Sequence, residues 1–205
     1  MEIKFENIVL RDMKQSDIAD YVRWFTTETE WMDWDAPWEK ETLDADAQRE
    51  SWTEYYESMQ EMPDDRIHCH FEIESEGRHI GWVSSYLTDE NYEWIRARQV
   101  KNGQKVNRTI GITVGESSIW GKHLGTNALR AFIRYYADHG CKEIYTQTWS
   151  GNVRMIHVAE KLGFQECNRV KEECEVDGQK YDSLTFMLRI SEYQHGTQEW
   201  RKHRC

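Results

Sequence analysis

The chain has 205 residues, a formal net charge of −11 and 31% charged residues, which is enough length for one domain with a sizeable core and too acidic for general nucleic-acid binding or attachment to an anionic membrane surface. No apolar run reaches membrane-spanning length and the start, Met1-Glu2-Ile3-Lys4, lacks the apolar centre of a signal peptide, so a cytoplasmic protein is expected. The five cysteines (Cys69, Cys141, Cys167, Cys174, Cys205) are odd in number and have no CxxC spacing, which argues against a disulfide framework and against a zinc site.

Ile8-Val9-Leu10-Arg11 has the pattern of a first strand, and Ser16-Asp17 is placed to cap a helix through Ile18, Tyr21, Val22 and Phe25. Trp24, Trp31, Trp34 and Trp38 then crowd into a short acidic stretch. Thr42 is placed to cap a longer helix through Leu43, Ala47, Trp52, Tyr55 and Met59, which Pro63-Asp64-Asp65 stops. Alternation of Ile67, Cys69, Phe71 and Ile73 with polar neighbours, a turn at Glu76-Gly77, and Ile80-Gly81-Trp82-Val83 predict a hairpin. Residues 91–107 are polar and basic and read as a loop with a short helical piece. Ile110, Ile112 and Val114 predict another strand, leading into Trp120-Gly121-Lys122-His123-Leu124-Gly125-Thr126 and a helix through Leu129, Phe132, Ile133 and Tyr136 closed by Gly140. Residues 144–148 predict a strand, residues 152–162 a helix with Gly163 beyond its end, and Asp177-Gly178 the turn of a last hairpin. A single domain over 1–190 and a tail over 191–205 are expected.

The segment 120–126 has the make-up of an anion cradle. Glycine permits tight turning and close approach, and a helix beginning there offers unpaired N–H groups and the positive end of its dipole. Together with Ile110-Gly111-Ile112-Thr113-Val114 before it, and Asn152 and Ala159-Glu160-Lys161-Leu162-Gly163-Phe164 after it, the chain resembles the GNAT superfamily of N-acetyltransferases, closest to the Rim-type branch that acetylates ribosomal proteins. The two blocks lie in the last half of the chain, and the element order from Ile8 onward also fits. The resemblance implies an α/β fold: a mixed, mostly antiparallel sheet of about seven strands flanked by about four helices. It also implies acetyl-CoA as co-substrate, with Ile112, Thr113 and Val114 along the pantetheine arm, Lys122, His123, Leu124, Gly125 and Thr126 around the pyrophosphate, and Asn152 bonded to the arm. No metal is implied. The chain departs from the family at Trp120, where Gln or Arg is usual, at His123, where Gly or Ala is usual, and at Ala159, where many relatives carry a tyrosine that protonates the leaving thiolate.

Acetyl transfer needs a neutral amine beside the thioester, a polarised carbonyl and an exit for the proton. A backbone N–H near Val114 is a candidate for the carbonyl, and Asp33, Asp35 and Glu116 are candidate catalytic carboxylates. Indole faces attract ammonium groups and carboxylates neutralise them, so Trp31, Trp34, Asp35 and Trp38 read as a seat for a cationic acceptor. Anchoring of a loop by its tryptophans is the competing account of the same residues. His68 and His70, at strand spacing with Glu72, share one face suited to metal binding or a proton relay, but no third ligand is marked, so surface or cleft lining is the better account; the basic stretch 96–105 reads as solvated. The expected activity is transfer of an acetyl group to a primary amine of a small cationic acceptor. Acetylation of a protein N-terminus and CoA binding without turnover are the alternatives. The resemblance leaves a homodimer open, with Tyr181, Leu184 and Phe186 as candidate contacts.

Overall fold

A computed structural model describes residues 1–41, 43–63, 66–191 and 193. Among the described residues nine strands form an open, mostly antiparallel sheet: β1 (Glu2–Phe5), β2 (Ile8–Arg11), β3 (His70–Ser75), β4 (Arg78–Thr88), β5 (Trp94–Ile95), β6 (Asn107–Val114), β7 (Glu143–Trp149), β8 (Gln165–Val176) and β9 (Gln179–Arg189). The order across the sheet is β1-β2-β3-β4-β6-β7-β9-β8, with β5 added to β4. The helices are α1 (Ile18–Thr26), α2 (Ala45–Gln60), α3 (Leu124–Asp138) and α4 (Val153–Lys161). No helix among the described residues is long and apolar enough to cross a membrane.

The chain divides into two compact units, Met1–Ser84 with Ile112–Phe132, and Ser85–Gly111 with the chain from Ile133 onward. In the first unit, β1 to β4 pair antiparallel in sequence order. Glu76 and Gly77 both take positive φ, 53° and 76°, which is the backbone a two-residue hairpin between right-twisted strands requires. Helices α1 and α2 pack through an aromatic cluster in which Tyr21 stacks on Trp52 at 3.6 Å between ring centroids, with Trp24, Phe25, Trp31 and Trp82 around them. Aromatic pairs in such offset or edge geometries add stabilisation beyond the area they bury, which is why a chain with ten tryptophans places several of them here. Phe71 and Ile73, both fully buried, hold the other face of β3, where Phe71 meets Phe132 edge-on.

In the second unit, β7, β9 and β8 form an antiparallel set, and β6 runs parallel to β7 with Thr109 opposite Tyr145. The Asp177-Gly178 turn has φ of 52° and 76°, as its sequence predicts. Leu184 and Phe186 are buried inside the protomer, at 2% and 3% exposure, and Tyr181 packs edge-on against Trp149; the first two are therefore core residues of one chain and present no dimer surface.

Several local expectations shift. The sheet has nine strands rather than about seven: β1 precedes the predicted first strand, and the stretch 91–107, expected as a loop, contributes β5 as well as the predicted helical piece at Ala97–Gln99. Asp17 occupies the cap position of α1 but its carboxylate makes no cap bond there, because Arg11 and the Lys14 N–H take it instead. Asp44 caps α2, accepting from the Asp46 and Ala47 N–H groups; Thr42, Asp64 and Asp65 lie outside the described residues, as do residue 192 and residues 194–205 of the expected tail.

Candidate active site

Strand β6 ends beside β4. The Gly115 N–H donates to the Ile80 carbonyl at 3.0 Å, and the indole N–H of Trp120 donates to the Val114 carbonyl at 2.9 Å. Trp120, a departure from the family pattern, thereby fastens the loop that follows to the strand end. Gly81 lies against that strand end so closely that a Cβ there would stand 2.1 Å from the Thr113 oxygen, and a Cβ on Gly115 would run into the Trp24 ring at 2.3 Å. Both glycines are fixed by contact.

The loop then curls through two left-handed residues, Gly121 at φ 80° and His123 at φ 63°, before α3 begins at Leu124. The first intrahelical bond comes from the Asn127 N–H to the His123 carbonyl, so the amides of Leu124, Gly125 and Thr126 have no helical acceptor four residues back. Backbone amides turned by left-handed residues at a helix start form a concave donor set suited to phosphate oxygens. The residues fit the pyrophosphate of CoA on this ground. A Cβ at Gly125 would meet only ordinary contacts, 3.4 Å to Ile112 and 3.6 Å to Val114, so the tight constraint of the loop sits at residues 121 and 123.

A second arrangement lies on the α1–α2 side of β3 and β4. Glu72 is fully buried and accepts from three groups: the Tyr21 hydroxyl at 2.9 Å, His79 Nε2 at 2.8 Å and His70 Nε2 at 3.0 Å. Burial opposes its charge, but the hydrogen bonds and charges of His70 and His79 win and hold its carboxyl down to about 2. For His79, burial again works against charge, yet hydrogen bonds to Asp20 and Glu72 and the charge of Asp17 push the ring up to about 9. Asp17 is in turn gripped by both terminal nitrogens of buried Arg11 at 2.7 and 2.9 Å, and Arg11 Nε reaches Glu74 at 2.6 Å. Asp17, Asp20 and His79 stand close enough together to ligate a cation, but these ion pairs already engage them.

His70, a member of this network, faces a cavity. Ser51, Trp52, Tyr55, His70 and Trp82 line a space of about 260 Å³. Trp82 follows Gly81 directly, so the cavity wall is one residue from the contact between β4 and the end of β6.

The predicted carboxylates are scattered among other duties. Asp33 is exposed and paired with Lys40 at 2.6 Å. Glu116 is nearly buried, its two oxygens taken by Arg23 at 3.3 Å and by Arg78. Asp35 is an exposed residue whose carboxyl is nonetheless raised from its ordinary value, by desolvation within its loop and then by the charge of Glu39; its exposure to water tempers that shift. Of the tryptophans, Trp31 is buried in the core, its indole donating to the Trp24 carbonyl at 2.9 Å, while Trp34 is half-buried and Trp38 is 45% exposed. Trp31 thus acts as the loop anchor. In the second unit Asn152 caps α4, its side-chain oxygen accepting the Met155 N–H at 3.0 Å, and Ala159 is fully buried. The Glu72 network escaped sequence reasoning except for the His70/Glu72 alternation, since His79 and Tyr21 join it only through folding.

A family model for the acetyltransferase (GNAT) domain matches residues 7–165, and the chain belongs to that family. An uncharacterised protein of Methanocaldococcus jannaschii is 25% identical over 93 residues, 45% of this chain; the chain spans about a fifth of that relative's length, the match covering 19% of it. Among solved structures, a RimL ribosomal L7/L12 alpha-N-protein acetyltransferase in complex with coenzyme A is similar with a TM-score of 0.69 at 15% identity, covering 92% of this chain and 98% of that one. The Salmonella typhimurium protein yncA, solved with its cofactor acetyl-CoA, has a TM-score of 0.63 at 18% identity, covering 90% of this chain and 95% of that one. At these identities the structures share the fold.

Proposed function

We propose that this chain moves the acetyl group of acetyl-CoA to the primary amine of a small cationic acceptor, by direct attack in a ternary complex. The reading takes residues 1–190 as one cytoplasmic acyltransferase domain. Family membership supports the reaction class. The observation that carries the acceptor is the cavity of Trp52, Tyr55, Trp82 and His70, about 260 Å³, with the buried Glu72 carboxylate directly behind His70. Aromatic faces attract an ammonium group, and a space of this size suits the amine-bearing end of a small molecule. Ile112, Thr113, Val114 and the amides of residues 122–126 are assigned to CoA, with Asn152 on the pantetheine arm. Trp34, Asp35 and Trp38 remain assigned to the acceptor. No covalent enzyme intermediate is required, since the amine attacks the thioester carbon itself.

The test is release of free CoA thiol when the protein meets acetyl-CoA and, in turn, polyamines, amino sugars, aminoglycosides and short peptides with free N-termini. Release with a cationic small amine is expected. Release with peptides alone would make the chain a protein N-terminal acetyltransferase, the activity of the RimL protein whose structure it resembles. Tight CoA binding without release on any acceptor would leave a CoA-binding protein without turnover, a possibility Ala159 raises because the tyrosine acid is missing.

A further inference from the structure

We propose that His70 is the catalytic base of this acetyl transfer, taking the proton from the acceptor's ammonium group, with Glu72 and Tyr21 as its positioning residues. The inference rests on the acetyltransferase reading above and names a residue that neither the motifs nor the candidate carboxylates supplied.

Three observations converge on His70. Its ring lines the aromatic cavity, and its side chain is 14% exposed, so an occupant of that cavity can touch it. Its Nε2 is 3.0 Å from Glu72 Oε1; an ionised carboxylate only accepts, so Nε2 carries the hydrogen and the lone pair of the neutral ring lies on Nδ1. Glu72 itself cannot move or titrate readily: it is fully buried, and the Tyr21 hydroxyl and His79 hold its oxygens at 2.9 and 2.8 Å. A base whose second nitrogen is bonded to a fixed carboxylate keeps its tautomer and ring orientation, and the carboxylate stabilises the imidazolium that forms. By contrast Asp33 is tied to Lys40, and Glu116 to Arg23 and Arg78.

The step balances without another reactant. The bound ammonium gives one proton to Nδ1 of His70. The free amine then attacks the thioester carbon, a C–N bond forms, the C–S bond breaks, and the departing CoA sulfur takes the second amine proton. His70 returns its proton to water.

The experiment compares wild type, His70→Gln and His70→Ala with the best amine of the panel, over pH 5 to 9, with CoA affinity and thermal unfolding measured on the same samples. Expected are a fall in kcat/KM of about 100-fold or more at neutral pH, disappearance of the acid limb of the wild-type profile, unchanged CoA affinity, and partial recovery of His70→Ala by added imidazole. Activity within threefold of wild type with the same pH profile would overturn the assignment while leaving the acetyltransferase reading intact. Loss of activity together with lost CoA affinity or a lowered unfolding temperature, and no imidazole rescue, would make His70 a structural residue and also overturn it. Failure of wild type to acetylate any amine would remove both.

Discussion

His79 donates to Glu72 across 2.8 Å while its other ring nitrogen sits 3.1 Å from Asp20, so one buried imidazolium bridges β3 and the first helix. Asp17 stands a further 3.7 Å from it, and Tyr21 and Trp24 pack against the ring. Its pKa is raised from 6.5 to about 9, so the stability it contributes is complete below about pH 6.5 and is lost as pH rises through 9. Glu72, lowered from 4.5 to about 2, contributes stability that is present above pH 4.5 and lost as pH falls through 2. Denaturant unfolding should therefore show a plateau between about pH 4.5 and 6.5 and a loss of up to roughly 3 kcal/mol by pH 9.5. His79→Gln should flatten the alkaline side. A wild type equally stable at pH 6 and 9.5 would remove this account.

Arg11 is 3% exposed and bidentate to Asp17, which is 2% exposed. Removing one partner of a buried pair leaves the other charged and dry, at a cost of about 3–5 kcal/mol. Arg11→Met should lower stability by that amount in chemical denaturation, and adding Asp17→Asn should recover part of it. A single-variant loss below about 1 kcal/mol would show that water replaces the guanidinium.

The order of elements and the glycine-bearing turn into α3 were legible because they rest on local rules. Positive φ at Glu76-Gly77 and Asp177-Gly178, the Asn152 cap and Gly163 at φ 88° all follow from the residue types at those places. The polar network was not legible for a physical reason. Alternation along β3 assigns Glu72 to the polar face, as surface or cleft lining, whereas α1 and α2 cover that face and bury Glu72 itself completely. A buried carboxylate survives there only because His79 and Tyr21 arrive from elsewhere in the chain. Composition marks the tryptophans as crowded, but only packing separates Trp31 in the core from Trp38 at the surface.

His123 holds a left-handed backbone at φ 63° where relatives usually have Gly or Ala. Histidine tolerates this region better than most residues, whereas a β-branched side chain is a true outlier there. His123→Gly should keep stability and CoA affinity at or above wild type. His123→Val should lose about 1–2 kcal/mol and weaken CoA binding in calorimetry, because the amides of residues 124–126 would turn away from the phosphates. Equal behaviour of the two variants would take the curled loop out of CoA recognition.

Asp35 offers a carboxylate beside Trp34 in sequence and is exposed to an incoming cation. Asp35→Asn keeps the shape and removes the charge, so KM for a cationic acceptor should rise about fivefold, roughly 1 kcal/mol, with CoA affinity unchanged. Trp31→Phe, by comparison, should lower stability, since it deletes a buried indole and its bond to the Trp24 carbonyl. Unaltered acceptor kinetics in Asp35→Asn would confine acceptor binding to the Trp52–Tyr55–Trp82 cavity.

Gly81 links the cavity wall to the end of β6. Its φ of 153° is a conformation side-chain-bearing residues rarely adopt, and a Cβ would lie 2.1 Å from the Thr113 oxygen and 2.9 Å from Val114 Cα. These neighbours are backbone atoms, so no rotamer change can relieve the overlap, and the strands must part by about 1 Å. Gly81→Ala should cost about 3 kcal/mol or more from overpacking and backbone strain together. Because Trp82 is the next residue and Val114 is assigned to the thioester end of CoA, the shift separates acceptor from acyl donor, and misplacement on that scale lowers kcat by far more than it weakens binding. Gly77→Ala is the control: its left-handed φ of 76° carries a similar backbone penalty, but a Cβ there meets nothing within 4 Å. If the two variants lose stability equally and both keep kcat, the contact between β4 and β6 plays no part in aligning the reacting groups.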